Sequence, residues 1–253
     1  MHNTEKIDIE KAESSPSPST TRLKLGEIGS PNVKTIGGLI REEARKDLQF
    51  PRCLTTFDEM RQDATVDAGL TVNEVFLTKA MMGMKWKVGE SGSELSKSYA
   101  DALNWNFKNF DQQTWYQIIT SVITYQQYGF SWLEKVYTKN KSKSHPILKN
   151  KIKKLATRTQ KSVAKWEFSK DKRELLGVWQ KPETSIDTLF PSAVNINNQL
   201  DTYIPRYKYM LFSWDDKGGN PQGKSLLTGC FRAYKEKSMI ASYEVVGVSK
   251  DMG

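Results

Sequence analysis

The sequence predicts an α+β fold: packed helices, a small, mainly antiparallel sheet, and one long closing helix. Three observations predict it. Apolar residues recur at helical spacing from about residue 56 to 128. From Phe130 to Trp214 the chain switches to β-rich runs separated by short turns, with no alternation of strands and helices of the kind a parallel sheet requires. From about Lys224 to Lys250 a helical pattern runs without a break.

Residues 1–32 are rich in Ser, Thr, Pro, Lys and Glu and lack an apolar h-region, which predicts a flexible tail rather than a secretory signal. "TTFDEMRQDATVDAGLTVNEVFLTKAMMGM" reads as helical, with Thr56 and Glu59 as a capping box and Leu70, Val72, Val75, Phe76, Lys79, Ala80 and Met84 as a core-facing side. "KWKVGE" reads as a short strand, with Trp86 and Val88 on one face. Ser91 and Glu94 suggest a second capping box, opening a helix striped by Leu95, Tyr99, Leu103, Phe107 and Phe110. Asp111 is placed to cap the next helix, whose stripe is Trp115, Ile118, Ile119, Val122 and Ile123, with Tyr125 a marginal member. Gly129 supplies the C-terminal stop. "FSWLEKVYT" reads as a strand, "SVAKWEF" and "RELLGVWQ" as a hairpin, and "RYKYMLFSW" as a strand entered after Pro205. Leu226, Leu227, Cys230, Phe231, Tyr234, Met239 and Ile240 form the apolar side of the closing helix.

The charge is unevenly placed. The 253 residues carry a net charge of +9 at a mean hydropathy of −0.61. Ten Lys and Arg and no acid lie between Lys139 and Lys165; elsewhere 28 basic residues stand against 29 acidic ones. Leu148, Ile152 and Leu155 suggest a short cationic helix within this basic loop or insertion. Its candidate contact residues are Lys149, Lys151, Lys153, Lys154, Arg158, Lys161 and Lys165. Three roles stay open for them: nucleic-acid contact with Trp166 stacking a base, docking on an acidic capsid or scaffold surface, or a solvated loop.

Cys53 and Cys230, and His2 and His145, are too scattered for metal-ligand spacing. The cysteines read as free thiols and His145 as a loop histidine. No cofactor and no catalytic residue is expected, and no run of about 18 apolar residues predicts a membrane span.

"GGNPQGKS", Gly218–Ser225, matches the G-x-x-x-x-G-K-S phosphate-cradle pattern. The context opposes nucleotide binding. Only one helix follows, Asp215 and Asp216 stand beside the glycines, and Pro221 removes an amide from the would-be cradle. The favoured reading is a mechanical turn built on Gly219, Pro221 and Gly223, with Gly218, Gly219 and Gly223 at positive φ.

An ordered set of landmarks then appears: Phe57, Met60 and Asp63; Trp86; Tyr128, Gly129, Phe130, Ser131 and Glu134; and Gly219, Pro221 and Gly223. Over roughly residues 50–250 this set resembles the N-terminal half of tailed-bacteriophage portal proteins, in particular the Mu-like branch. The resemblance implies a wing over 33–222 and a stem helix over 223–253. It implies a non-enzymatic homo-oligomeric ring, usually of about twelve subunits, at one capsid vertex of the virion, assembled in the host cytoplasm. The partners it implies are the major capsid protein, head–tail adaptors, terminase, and double-stranded DNA passing through the ring. Family members continue into a clip, a return stem helix, a channel helix and a crown. The sequence ends at Gly253, so channel and terminase-docking residues are not carried over. The alternatives are a basic nucleic-acid-binding module and a P-loop nucleotide hydrolase.

Overall fold

The computed structural model describes residues 33–85, 87–171, 174–181 and 201–251. The expected N-terminal tail and Trp86 lie outside them. A two-residue hairpin, β1 (Thr35–Ile36) with β2 (Leu39–Ile40), leads into α1 (Arg52–Arg61) and α2 (Ala64–Gly83). α3 (Glu94–Lys108), α4 (Trp115–Ile123) and the one-turn α5 (Tyr125–Tyr128) follow. The strands are β3 (Phe130–Lys139), β4 (Asn150–Arg158), β5 (Val163–Phe168), β6 (Leu175–Gln180), β7 (Thr202–Pro205) and β8 (Tyr209–Ser213). The chain then enters α6 (Leu227–Asp251). The sheets run β4-β3-β8 and β5-β6-β7, and every pairing is antiparallel. The expected α+β class holds.

β3 organises the layers because its alternate residues face opposite ways. Ser131 and Leu133 face α4: the Ser131 hydroxyl donates to Val122 O, and Leu133 packs with Ile118, Val122 and Leu155. Phe130 and Trp132 face the larger core, where Phe130 meets Trp166 edge-on at 5.5 Å and Trp132 meets Tyr209 at 5.8 Å. Leu54, Phe57 and Met60 of α1 and Leu227 and Phe231 of α6 close that core.

Several local expectations are corrected. The helical run beginning at Thr55 is two helices: α1 starts at Arg52, and the Asp63 carboxylate caps α2 by accepting from Thr65 N and Val66 N. Thr56 is therefore interior to α1, and its hydroxyl donates to Asp47 O instead of capping. α3 is capped by Ser93, two residues beyond the expected Ser91. α4 is capped by a Thr114–Gln117 capping box, while Asp111 turns to Lys151. Lys87–Glu90 form no strand.

The largest correction concerns the side of α2 expected to face the core. Only Leu70 of that set is buried; Val72, Val75, Phe76 and Met84 are exposed, Phe76 at 70%. Leu95 and Tyr99 of α3 are likewise exposed. Helical periodicity reveals an apolar face and says nothing about whether the same chain covers it.

Candidate functional site

The Gly218–Ser225 segment is an elbow between β8 and α6. Gly218, Gly219 and Gly223 all have positive φ, and Pro221 is buried. The elbow's amides are committed internally. Asn220 N donates to Lys217 O, Gln222 N to Asn220 Oδ1, Gly223 N to Asn220 O and Lys224 N to Trp214 O. Leu226 N donates to Gln126 O, and Leu227 N to Ser225 Oγ, whose hydroxyl in turn donates to Gln127 O, 98 residues away in sequence. A phosphate cradle needs such amides free and convergent. Helix α6 starts at Leu227, so Lys224 precedes it rather than opening it. With no parallel strand pair among the described residues, the nucleotide-binding geometry is not built.

The elbow sits against a second special backbone. Gly129, at φ 91°, ends α5 and donates to Tyr125 O, while its carbonyl accepts from Trp214 N at 2.9 Å. Tyr125 and Trp214 stack at 6.1 Å with 13° between their rings. α5 itself is pinned to α1: Asp58 accepts from Gln127 Nε2 and from the Tyr128 hydroxyl and pairs with Lys161. Burial, reinforced by the Asp58 charge, raises the Tyr128 pKa above the ordinary phenol range. Arg61 completes the clamp, bonding Asp67 and Glu74 of α2 and Gln127 of α5.

The basic segment is not an open loop, and its one helical piece is a 3-10 turn, Gln160–Ser162, rather than the expected cationic helix. Its middle is β4, paired along its length with β3. Ile152 and Leu155 are three apart, which imitates a helix; in a regular strand they would face opposite ways. A bulge between the Val136–Lys154 and Tyr137–Ile152 pairs takes up Lys153 and turns both apolar residues onto the α4 side. The outer edge of β4 is then blocked by side chains. Asn106 Nδ2 donates to Ile152 O while its Oδ1 accepts from Ile152 N; Gln113 does the same with Leu155; and Asp111 N donates to Lys153 O. Neither Asn106 nor Gln113 stood out in the sequence, because amide side chains carry no periodic signal.

The seven candidate cations divide. Lys151 pairs with Asp111 at 3.1 Å and lies over Trp105, whose ring also meets His145 at 5.0 Å with a tilt of 36°. Arg158 pairs with Glu134, Lys161 with Asp58, and Lys165 lies 4.7 Å over the Trp179 ring. Lys149, Lys153 and Lys154 are exposed with no carboxylate partner among the described residues. Trp166 is 1% exposed and cannot stack a base.

Among the described residues α6 is docked along its first half. Leu227 and Phe231 are buried, Lys235 pairs with Asp47, and Lys237 pairs with Asp63. Hydrogen bonding to these lysines holds both carboxyls below the usual carboxylate range. From Ser238 to Lys250 every residue is exposed, including Met239, Ile240, Tyr243 and Val246. Cys53 is buried, which pushes its thiol pKa up to about 12, and Cys230 is exposed; both are free. Among the described residues no helix is long and apolar enough to cross a membrane, and no three His, Cys, Asp or Glu side chains are grouped to hold a metal.

Two comparisons with known proteins bear on this geometry. No curated protein matches the chain. Residues 54–245 match the family described as the portal protein of Mu bacteriophage.

Proposed function

Since the chain belongs to the Mu bacteriophage portal protein family, we propose that it is a structural, non-catalytic subunit of a ring at a capsid vertex. In this reading residues 33–222 form the wing and 223–253 the first stem helix. Genomic DNA passes through the ring during packaging and ejection. Capsid protein, terminase and head–tail adaptors are its neighbours.

One observation carries the proposal beyond family membership: the chain has two separate apolar faces that none of the described residues covers. The first is Val72, Val75, Phe76 and Met82 on α2; the second is Met239, Ile240, Tyr243 and Val246 on α6. Surface set aside like this marks an interaction site. Two different faces on one chain suit a head-to-tail contact between copies, which closes into a ring when the rotation permits. A groove of about 400 Å³ lined by Val66, Leu70, Leu227 and Tyr234 adds an apolar recess between the two helices.

Light scattering and negative-stain images of the purified chain test the proposal. Rings of about twelve copies are expected for the native sequence. Phe76→Asp and Ile240→Asp, each at an exposed site, should give folded monomers. A native chain that stays monomeric at every concentration, with unchanged behaviour of both variants, overturns the ring reading.

A further inference from the structure

The β3–β4 hairpin carries charge that the fold does not use. Lys139, Lys141, Lys143, Lys149, Lys153 and Lys154 are all exposed, and none meets a carboxylate among the described residues. The two acids that do reach the hairpin strands, Asp111 and Glu134, are already taken by Lys151 and Arg158. Lys208 stands 5.2 Å over the Tyr137 ring and adds a further cation beside the arm.

We infer that this hairpin is a sequence-independent contact for the phosphate backbone of duplex DNA. The arm lacks what a protein partner would need. Interfaces between proteins are organised on desolvated aromatic or aliphatic anchors. Here Leu155 is buried, Ile152 is packed against the α4 cluster, Ile147 and Leu148 at the tip are half-buried, and the exposed aromatic, Tyr137, lies under Lys208. A partner strand cannot be added either, because Asn106, Asp111 and Gln113 already occupy the outer edge of β4 from Ile152 to Leu155. What remains outward is mostly ammonium groups, with the hydroxyl of Ser144, the amide of Asn150 and the ring of Pro146 among them. These are the groups that bond phosphate oxygens without reading bases.

Spacing supports the same chemistry. Lys149 to Lys154 spans at most about 17 Å of chain, shortened by the bulge at Lys153. Duplex DNA presents one charge per about 1.7 Å of axis, so several phosphates fall within reach at once. The choice of duplex DNA over another polyphosphate rests on the portal reading; the phosphate chemistry does not.

The test is fluorescence anisotropy of the full chain with two unrelated duplexes of about 30 base pairs, from about 50 to 200 mM salt. Binding should be equal for both sequences, and log K should fall linearly with log salt. The triple variant Lys149→Gln, Lys153→Gln, Lys154→Gln should flatten that slope by about 2 to 3 and lower affinity at least about tenfold at the low-salt end. Restoring charge with Arg at the three positions should recover binding. A charge-matched control, Lys87→Gln, Lys97→Gln, Lys250→Gln, at exposed sites off the hairpin, should leave the slope near that of the native chain. An unchanged slope in the hairpin variant overturns the inference. So does tighter binding of poly-glutamate than of duplex, which would assign the arm to an acidic protein surface. Rings that form normally while the hairpin variant binds DNA like the native chain leave the portal reading standing without this contact. A monomer whose DNA affinity falls as stated leaves the contact standing without the portal.

Discussion

Gly129 and Gly223 meet backbone to backbone. A Cβ on Gly223 would stand 2.5 Å from the Gly129 carbonyl oxygen and 2.5 Å from that of Trp214; a Cβ on Gly129 would stand 2.5 Å from Gln222 O. Both residues have positive φ. The turn that ends α5 and the turn that launches α6 are therefore one joint, and each half needs the other's missing side chain.

Gly223→Ala should destabilise the protein by about 2–4 kcal/mol, since it adds left-handed strain to a clash with two carbonyls that cannot move apart without breaking β8 from β3. Gly219→Ala is the comparison. It has similar φ, +74°, but open space around it, and should cost only about 1–2 kcal/mol. Denaturant melts of the two variants check the ordering. Equal losses would mean that strain alone, and not the close approach, governs the joint.

Asn106→Ala should cost about 2–4 kcal/mol, because it leaves the amide and carbonyl of Ile152 without partners at a 2% exposed site. Hydrogen exchange should show the Ile152 amide losing protection while β3–β8 pairing persists. Asn106→Asp should rescue the acceptor half only, protecting the amide and leaving the carbonyl unpaired.

Docking of α6 should weaken in acid. The Asp47 and Asp63 carboxyls are held below their ordinary range by Lys235 and Lys237, so their contribution is fully present above the unfolded carboxylate pKa of about 4 and is lost as pH falls below it. Near pH 3, protection of amides around Lys235 and Lys237 should drop before the β-sheet core opens. Lys235→Met with Lys237→Met should remove that acid step. A step that survives in the double variant would point to other carboxylates.

Much of this arrangement was legible in the sequence, and the misses share a cause. β3, the β5–β6 hairpin and α6 were readable because each is bounded by turn residues and carries its own periodicity: Gly129 before β3, the charged run SKDK between β5 and β6. The elbow was readable as a turn, since Asp215, Asp216 and Pro221 are wrong for a phosphate site. β4 was misread because a bulge at Lys153 lets residues three apart share a face. The α2 face was misread as core because amphipathic pattern is blind to which molecule supplies the cover. Asp63 shows the limit most plainly. Its cap on α2 is a local signal, but its ion pair with Lys237, 174 residues on, depends on a packing angle that no local pattern encodes.

The residues of α6 beyond Lys237 extend about 20 Å with none of the described residues packed beside them. The helix is held by its buried root and, midway, by two lysines gripping carboxylates, so it behaves as a cantilever. Load applied near its tip is passed at Lys235 and Lys237 to Asp47 and Asp63, and at the root, through the glycine joint, to β8 and β3. Anything that grasps the outer turns, a neighbouring copy above all, thereby gains mechanical purchase on the sheet that carries the basic arm.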